Sequence, residues 1–134
     1  MLSMSIPLSG MQAASLRLTA AANNIANMNA GGTPQTAGQT STTPQAYQPV
    51  QVQQSSAGPM GGTTATVTGV NPATVTQYDP SSPYANSQGL ASMPNVDVMN
   101  EIVSIATAKV DFTINLKVAD AVNQMVKQLF ELGD

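Results

Sequence analysis

The chain has 134 residues, of which 42% are hydrophobic, 4% aromatic and only 8% charged, with a net charge of −3. Its four basic residues, Arg17, Lys109, Lys117 and Lys127, are too scattered for the clustered footprint that nucleic-acid binding requires, so no nucleic-acid partner is expected. Without His or Cys, the usual zinc, haem and iron–sulfur ligands, thiol catalysis and His-based proton relays are excluded, and neither metal nor cofactor is expected.

Residues 1–28 read as a helix. Ser5 is the expected N-cap, with Pro7 in the first turn, where its missing amide costs little. Met11, Leu18 and Ile25 recur at one heptad position, and Ala14, Ala21 and Met28 recur on the adjacent row, which makes a seam with small residues on one side. Ala13, Ala20, Ala22 and Ala26 keep the flanks thin, so that neighbouring backbones can approach closely. Asn23, Asn24, Asn27 and Asn29 crowd the last turn, where they either satisfy carbonyls at a frayed end or form side-chain ladders between subunits. Gly31-Gly32-Thr33-Pro34 ends the helix. No basic segment leads into an apolar run with a cleavage site, so a secretory signal is not expected. No run is long enough for direct membrane insertion.

Residues 33–64 are rich in Thr, Gln, Gly, Ser and Pro and read as a linker, within which 46–52 alternates enough to make an edge strand. The run 63–70 is β-branched at nearly every position, and 73–78 repeats the pattern beyond an Asn71-Pro72 turn. Two or three short strands in a hairpin or very small sheet are expected, marginal unless helices or neighbours cover them. Residues 78–84 read as an extended connection and 86–89 as a turn.

The stretch 93–132 reads as one long helix. Asp97, after Met93-Pro94-Asn95-Val96, can cap the first turn, Glu101 adds charge where the macrodipole favours it, and Gly133 stands as a stop. Val98, Ile102, Ile105, Phe112, Leu116, Ala119, Val126 and Phe130 fall at alternating steps of three and four, broken by Lys109 and Asn123. Ile114, Val118, Ala121, Met125 and Leu132 form a second stripe on the opposite side. One seam can be satisfied by one partner helix, but two require a helix surrounded by neighbours. The expected architecture is therefore mostly α with a small β part. The N- and C-terminal helices pair as an antiparallel coiled coil, joined by a short hairpin or small sheet and long loops. The helical assembly region covers 1–32 and 93–134, and the linker with its β-rich insertion covers 33–92.

Candidate chemistry is sparse. Asp97 and Glu101 share a helical face as paired carboxylates would, but cap plus dipole partner is the better account, because both sit in the first turn with no basic or metal-binding residue nearby in sequence. Lys109 reads as a register-setting polar residue in the seam rather than a buried nucleophile. The serines lack a histidine base, and the glycine pairs do not follow a strand and open a helix as phosphate loops do. No catalytic residue is assigned. The methionines read as adaptable packing.

The stretch Leu8-Ser9-Gly10-Met11-Gln12-Ala13-Ala14-Ser15-Leu16-Arg17-Leu18, followed by Ala22-Asn23-Asn24-Ile25-Ala26-Asn27-Met28-Asn29, resembles the signature of bacterial flagellar rod, hook and hook-associated proteins. Tyr78-Asp79-Pro80-Ser81-Ser82-Pro83, through Gln88-Gly89 to Met93-Pro94-Asn95-Val96-Asp97-Val98, is similar to the segment before the C-terminal helix in the FlgC-like proximal branch of the basal-body rod family. Two segments depart from that pattern. Ala30-Gly31-Gly32-Thr33-Pro34-Gln35 replaces a Thr-Pro-Gly-Tyr-like turn, and Thr107-Ala108-Lys109-Val110-Asp111-Phe112 replaces a Ser-Arg-Ser-Tyr-like stretch.

The resemblance implies an axial structural protein, exported unfolded through the flagellar type III apparatus into the periplasmic rod. Its terminal helices would join copies of itself, other rod proteins and the basal-body base into a torque-carrying shaft. The residues expected at such contacts are Met11, Leu18, Asn23, Asn24, Ile25 and Asn27 in the first helix, and Ile102, Ile105, Phe112, Ile114, Leu116, Val118, Met125, Val126 and Phe130 in the second. The alternative is a soluble coiled-coil binding module presenting its Thr-rich hairpin.

Overall fold

A run free of proline and glycine lets the longest element form, the helix Val98–Glu131 of 34 residues, about 50 Å at 1.5 Å per residue. The computed structural model describes residues 4–34, 44–59 and 61–132. The expectations for Gly133 as a helix stop, for Met1 and for the linker at 35–43 lie outside the described residues. In chain order the elements are α1 (Ser5–Ala26), β1 (Val50–Ser56), β2 (Thr63–Gly69), β3 (Thr74–Tyr78), β4 (Leu90–Pro94) and α2 (Val98–Glu131).

Asp97 caps α2 as its carboxylate chemistry demands. One oxygen accepts from the amides of Met99 and Asn100, at 3.0 and 3.3 Å, and the other accepts from the Asn100 side chain at 2.7 Å. The start of α1 differs from expectation. Ser5 is its first helical residue, and Met4 holds the cap position without a side-chain cap. Pro7 removes one of the first-turn amides that a cap would have to satisfy.

The two helices lie antiparallel, since Arg17 meets Asp111 and Asn24 meets Glu101. Their shared face keeps the small members of the expected seams, Ala14, Ala21 and Ala119, and leaves Leu18, Ile102, Phe112, Leu116, Val126 and Phe130 exposed. On α1 the positions shielded along it include Pro7, Gly10, Ala14, Arg17, Ala21 and Asn24, and the shielded positions of α2 are Val98, Glu101, Ser104, Ile105, Ala108, Asp111, Asn115, Ala119 and Val122. Ala14 and Ala108 are each 1% exposed, whereas Phe112 is 41% and Phe130 74% exposed. Small side chains win the inner face because they let the backbones approach. At Gly10 even a Cβ would run into the Asn115 side chain.

The strands form two separate antiparallel pairs, β1 with β2 and β3 with β4, in place of one small sheet. Val50 lies opposite Gly69 in the first pair and Thr74 opposite Pro94 in the second. The β1–β2 hairpin packs on α1, on the side of the Ala13 and Ala20 row. Thr63 donates its amide to the Ser9 hydroxyl at 3.0 Å. The sequence reading missed β4. Leu90–Pro94 has no β-branched residue, and Met93 and Pro94, expected to lead into the helix, complete this strand instead. Two partners hold it: β3 on one side, and on the other Gly32, which exchanges both backbone hydrogen bonds with Ser92 at 2.9 Å. Gly32 has no room for a Cβ against the backbone at 44–46, so glycine permits that approach.

Candidate assembly surface

Asn24 is fully buried and uses its whole amide. Its Nδ2 donates to the Val50 carbonyl and to Glu101 Oε1, both at 2.7 Å. Its Oδ1 accepts from the Val50 amide at 3.0 Å and from the Tyr47 hydroxyl at 3.1 Å. One side chain therefore ties α1 to β1, to the segment before it and to the first turn of α2. This is a third role for that asparagine, neither a frayed-end partner nor an inter-subunit ladder. Asn27 does satisfy its own helix end, donating to the Asn23 carbonyl at 2.9 Å. Glu101, besides lying near the positive end of α2, is the acceptor in this network, a partnership no local spacing announces.

A polar pocket of about 400 Å³ opens beside this network, lined in part by Arg17, Gln51, Asn95, Asp97, Asn100 and Glu101. Its charged groups are already engaged: Arg17 with Asp111 at 3.1 Å, Asp97 with the α2 amides, and Glu101 with Asn24. Such an arrangement holds structure together and leaves no base poised over a nucleophile. Among the described residues no group of His, Cys, Asp or Glu could hold a metal ion, and no helix is long and apolar enough to cross a membrane.

Of the first-helix residues expected at contacts, Leu18 and Asn23 are exposed, Met11, Ile25 and Asn27 are half-buried, and Asn24 is internal. On α2, Ile102, Phe112, Ile114, Leu116, Val118, Met125, Val126 and Phe130 are all exposed, and Ile105 is half-buried. Met99, Val103, Val110 and Leu129 are exposed as well and fall outside both stripes. An all-round apolar helix is the signal that would have found them. In the pre-helix motif, Met93 and Pro94 belong to β4, Asn95 donates to the Pro72 carbonyl at 2.9 Å, Val96 is half-buried, Asp97 caps and Val98 opens α2.

Between the helices runs an apolar groove of about 410 Å³. Ala14 and Ala108 form its floor, Leu18, Phe112 and Leu116 its walls, and Lys109 its rim. Small residues inside and large ones outside create it.

Fold and surface together define a two-helix protein with β-hairpin insertions that holds its large apolar side chains outward. Residues 4–32, which include all of α1, match the family model described as flagella basal body rod protein. More particularly, the chain is similar to the flagellar basal-body rod protein FlgC. It is 36% identical to that of Salmonella typhimurium over 56 residues, 42% of each chain. It is 32% identical over 56 residues to those of Buchnera aphidicola subsp. Baizongia pistaciae and Bacillus subtilis, covering 42% of this chain and 41% and 37% of theirs. The matched stretch thus spans less than half the length of these curated relatives.

Proposed function

We propose that this chain is a structural subunit of the flagellar basal-body rod, in its proximal part, which polymerises through its terminal helices and transmits torque without catalysis. The observation that carries the reading is the inverted packing of the two helices, the first of which matches the rod family: alanines face inward, and Leu18 on α1 and Ile102, Phe112, Leu116 and Phe130 on α2 face out. Exposed apolar side chains on two helices are a surface awaiting neighbours. In the assembly they pack as coiled-coil seams with copies of the chain, with other rod proteins and with the basal-body base. The helical regions, 1–32 and 93–134, act as the assembly domain, and 33–92 as its insertion.

A core that among the described residues buries eight alanines and one valine supports passage through the flagellar export apparatus as an unfolded chain, because methyl groups contribute far less than buried leucines. After export the chain occupies the periplasmic rod. An unbroken 34-residue helix supports the stiffness that a shaft needs.

The test is an epitope-tagged chain expressed in its own bacterium. The label is expected in the rod of purified basal bodies, and deletion of the coding sequence is expected to abolish motility. Basal bodies free of label, together with normal swimming of the deletion strain, overturn the reading. The same label on a soluble partner instead would favour a coiled-coil binding module.

A further inference from the structure

We propose that the groove between α1 and α2 receives the overhanging C-terminal end of α2 from a second copy of this chain, in a head-to-tail contact. The inference rests on the assembly reading above and names the contact that would carry it.

The last shielded residue of α2 is Val122, and every residue from 123 to 132 is exposed. The overhang is nearly three helical turns long, and its apolar residues stand on two adjacent rows, Met125 with Leu129 and Val126 with Phe130. The groove follows α2 from Lys109 to Leu116, about two turns. An apolar helix end thus has a groove of comparable length to enter, with walls of Leu18, Phe112 and Leu116.

Charge agrees with this fit. Lys109 stands at the rim and Lys117 two turns beyond it, and neither has an ion-pair partner among the described residues. The last turn of α2 contains no basic residue. The overhang carries Glu131 near the negative end of its helix dipole, with Lys127 a turn further back.

The occupant cannot be the chain's own overhang. Groove and overhang belong to one uninterrupted helix, so neither can fold back on the other. A second copy supplies the matching part, and because the two surfaces differ, each added copy leaves one open groove and one open end.

Two variants of the full chain test this, Phe130→Asp on the overhang and Leu116→Asp in the groove. Both positions are exposed, and unchanged circular dichroism verifies folding. In sedimentation across a concentration series, the unaltered chain is expected to form oligomers that lengthen with concentration, and each variant alone to associate at least tenfold more weakly. An equal mixture is expected to stop at a dimer, because one intact end meets one intact groove. Lys109→Glu should weaken association, and Glu131→Lys added to it should restore association.

Undiminished assembly of Phe130→Asp overturns the proposal, as does a mixture that stays monomeric or grows beyond two. An unaltered chain that remains monomeric at every concentration also overturns it. Should that chain still appear in labelled basal bodies, the groove holds another protein and the rod reading stands. Should it be absent from them, the rod reading fails independently.

Discussion

Asn24 concentrates more of the fold in one side chain than any other described residue. Asn24→Ala leaves the Val50 backbone groups, the Tyr47 hydroxyl and Glu101 without their buried partner, so a loss of about 2–3 kcal/mol is expected in urea denaturation. Gly10 poses a question of sign. On an open helix face Gly→Ala would stabilise by about 0.5–1 kcal/mol. Here the added methyl runs into Asn115, and overpacking of about 1–3 kcal/mol should win. Combining Gly10→Ala with Asn115→Ala should return stability to at least that of Asn115→Ala alone, and a double-mutant cycle by denaturation checks this. At Asp97 the cap is local and exposed, so Asp97→Ala should cost about 1 kcal/mol and lower the melting temperature without loosening the Asn24 network.

Among the elements, α2 divides into two parts with different dependence on the rest of the chain. Up to Val122 it is shielded along one side by α1, and beyond Val122 every described residue is exposed. In a dilute monomer, amide exchange should therefore be fastest at 123–132 and slowest around Ala108 and Ala119, with the far end gaining protection as concentration rises. Deleting 123–134 should leave the denaturation midpoint of the remaining monomer nearly unchanged while abolishing association. The strand β4 teaches a related lesson. Its residues have little intrinsic preference for extended backbone, yet it is the most shielded strand because β3 and Gly32 supply hydrogen bonds on both edges.

For the molecule as a whole, the balance between inside and outside predicts that a lone copy is weakly built. Among the described residues the buried hydrophobic ones are eight alanines and one valine, while most of the large apolar side chains of α2 stand outside. Since burying a methylene contributes about 0.8 kcal/mol, the larger apolar gain is still available to contacts between molecules. Association should therefore show a negative heat-capacity change in calorimetry and persist in 1 M salt, where screening shortens the Debye length to about 3 Å. Dissociation by moderate salt would instead mean that the few ion pairs carry the contact.

Much of this was legible without coordinates. The presence of two long helices, the Asp97 cap, the turn at 86–89 and the surplus of apolar helical surface all follow from local rules, because spacing, capping and glycine placement act within a few residues. Tertiary structure alone decided which face turned inward. Spacing offered two stripes on α2 and, on α1, a seam that mixed large residues with Ala14 and Ala21; two helices linked by Asn24–Glu101 and drawn together at Gly10–Asn115 pack closest through the small side chains. The strand pairing and the hub role of Asn24 were likewise settled by partners distant in the chain, since a hydrogen bond depends on what the fold brings opposite a group and not on its neighbours in sequence.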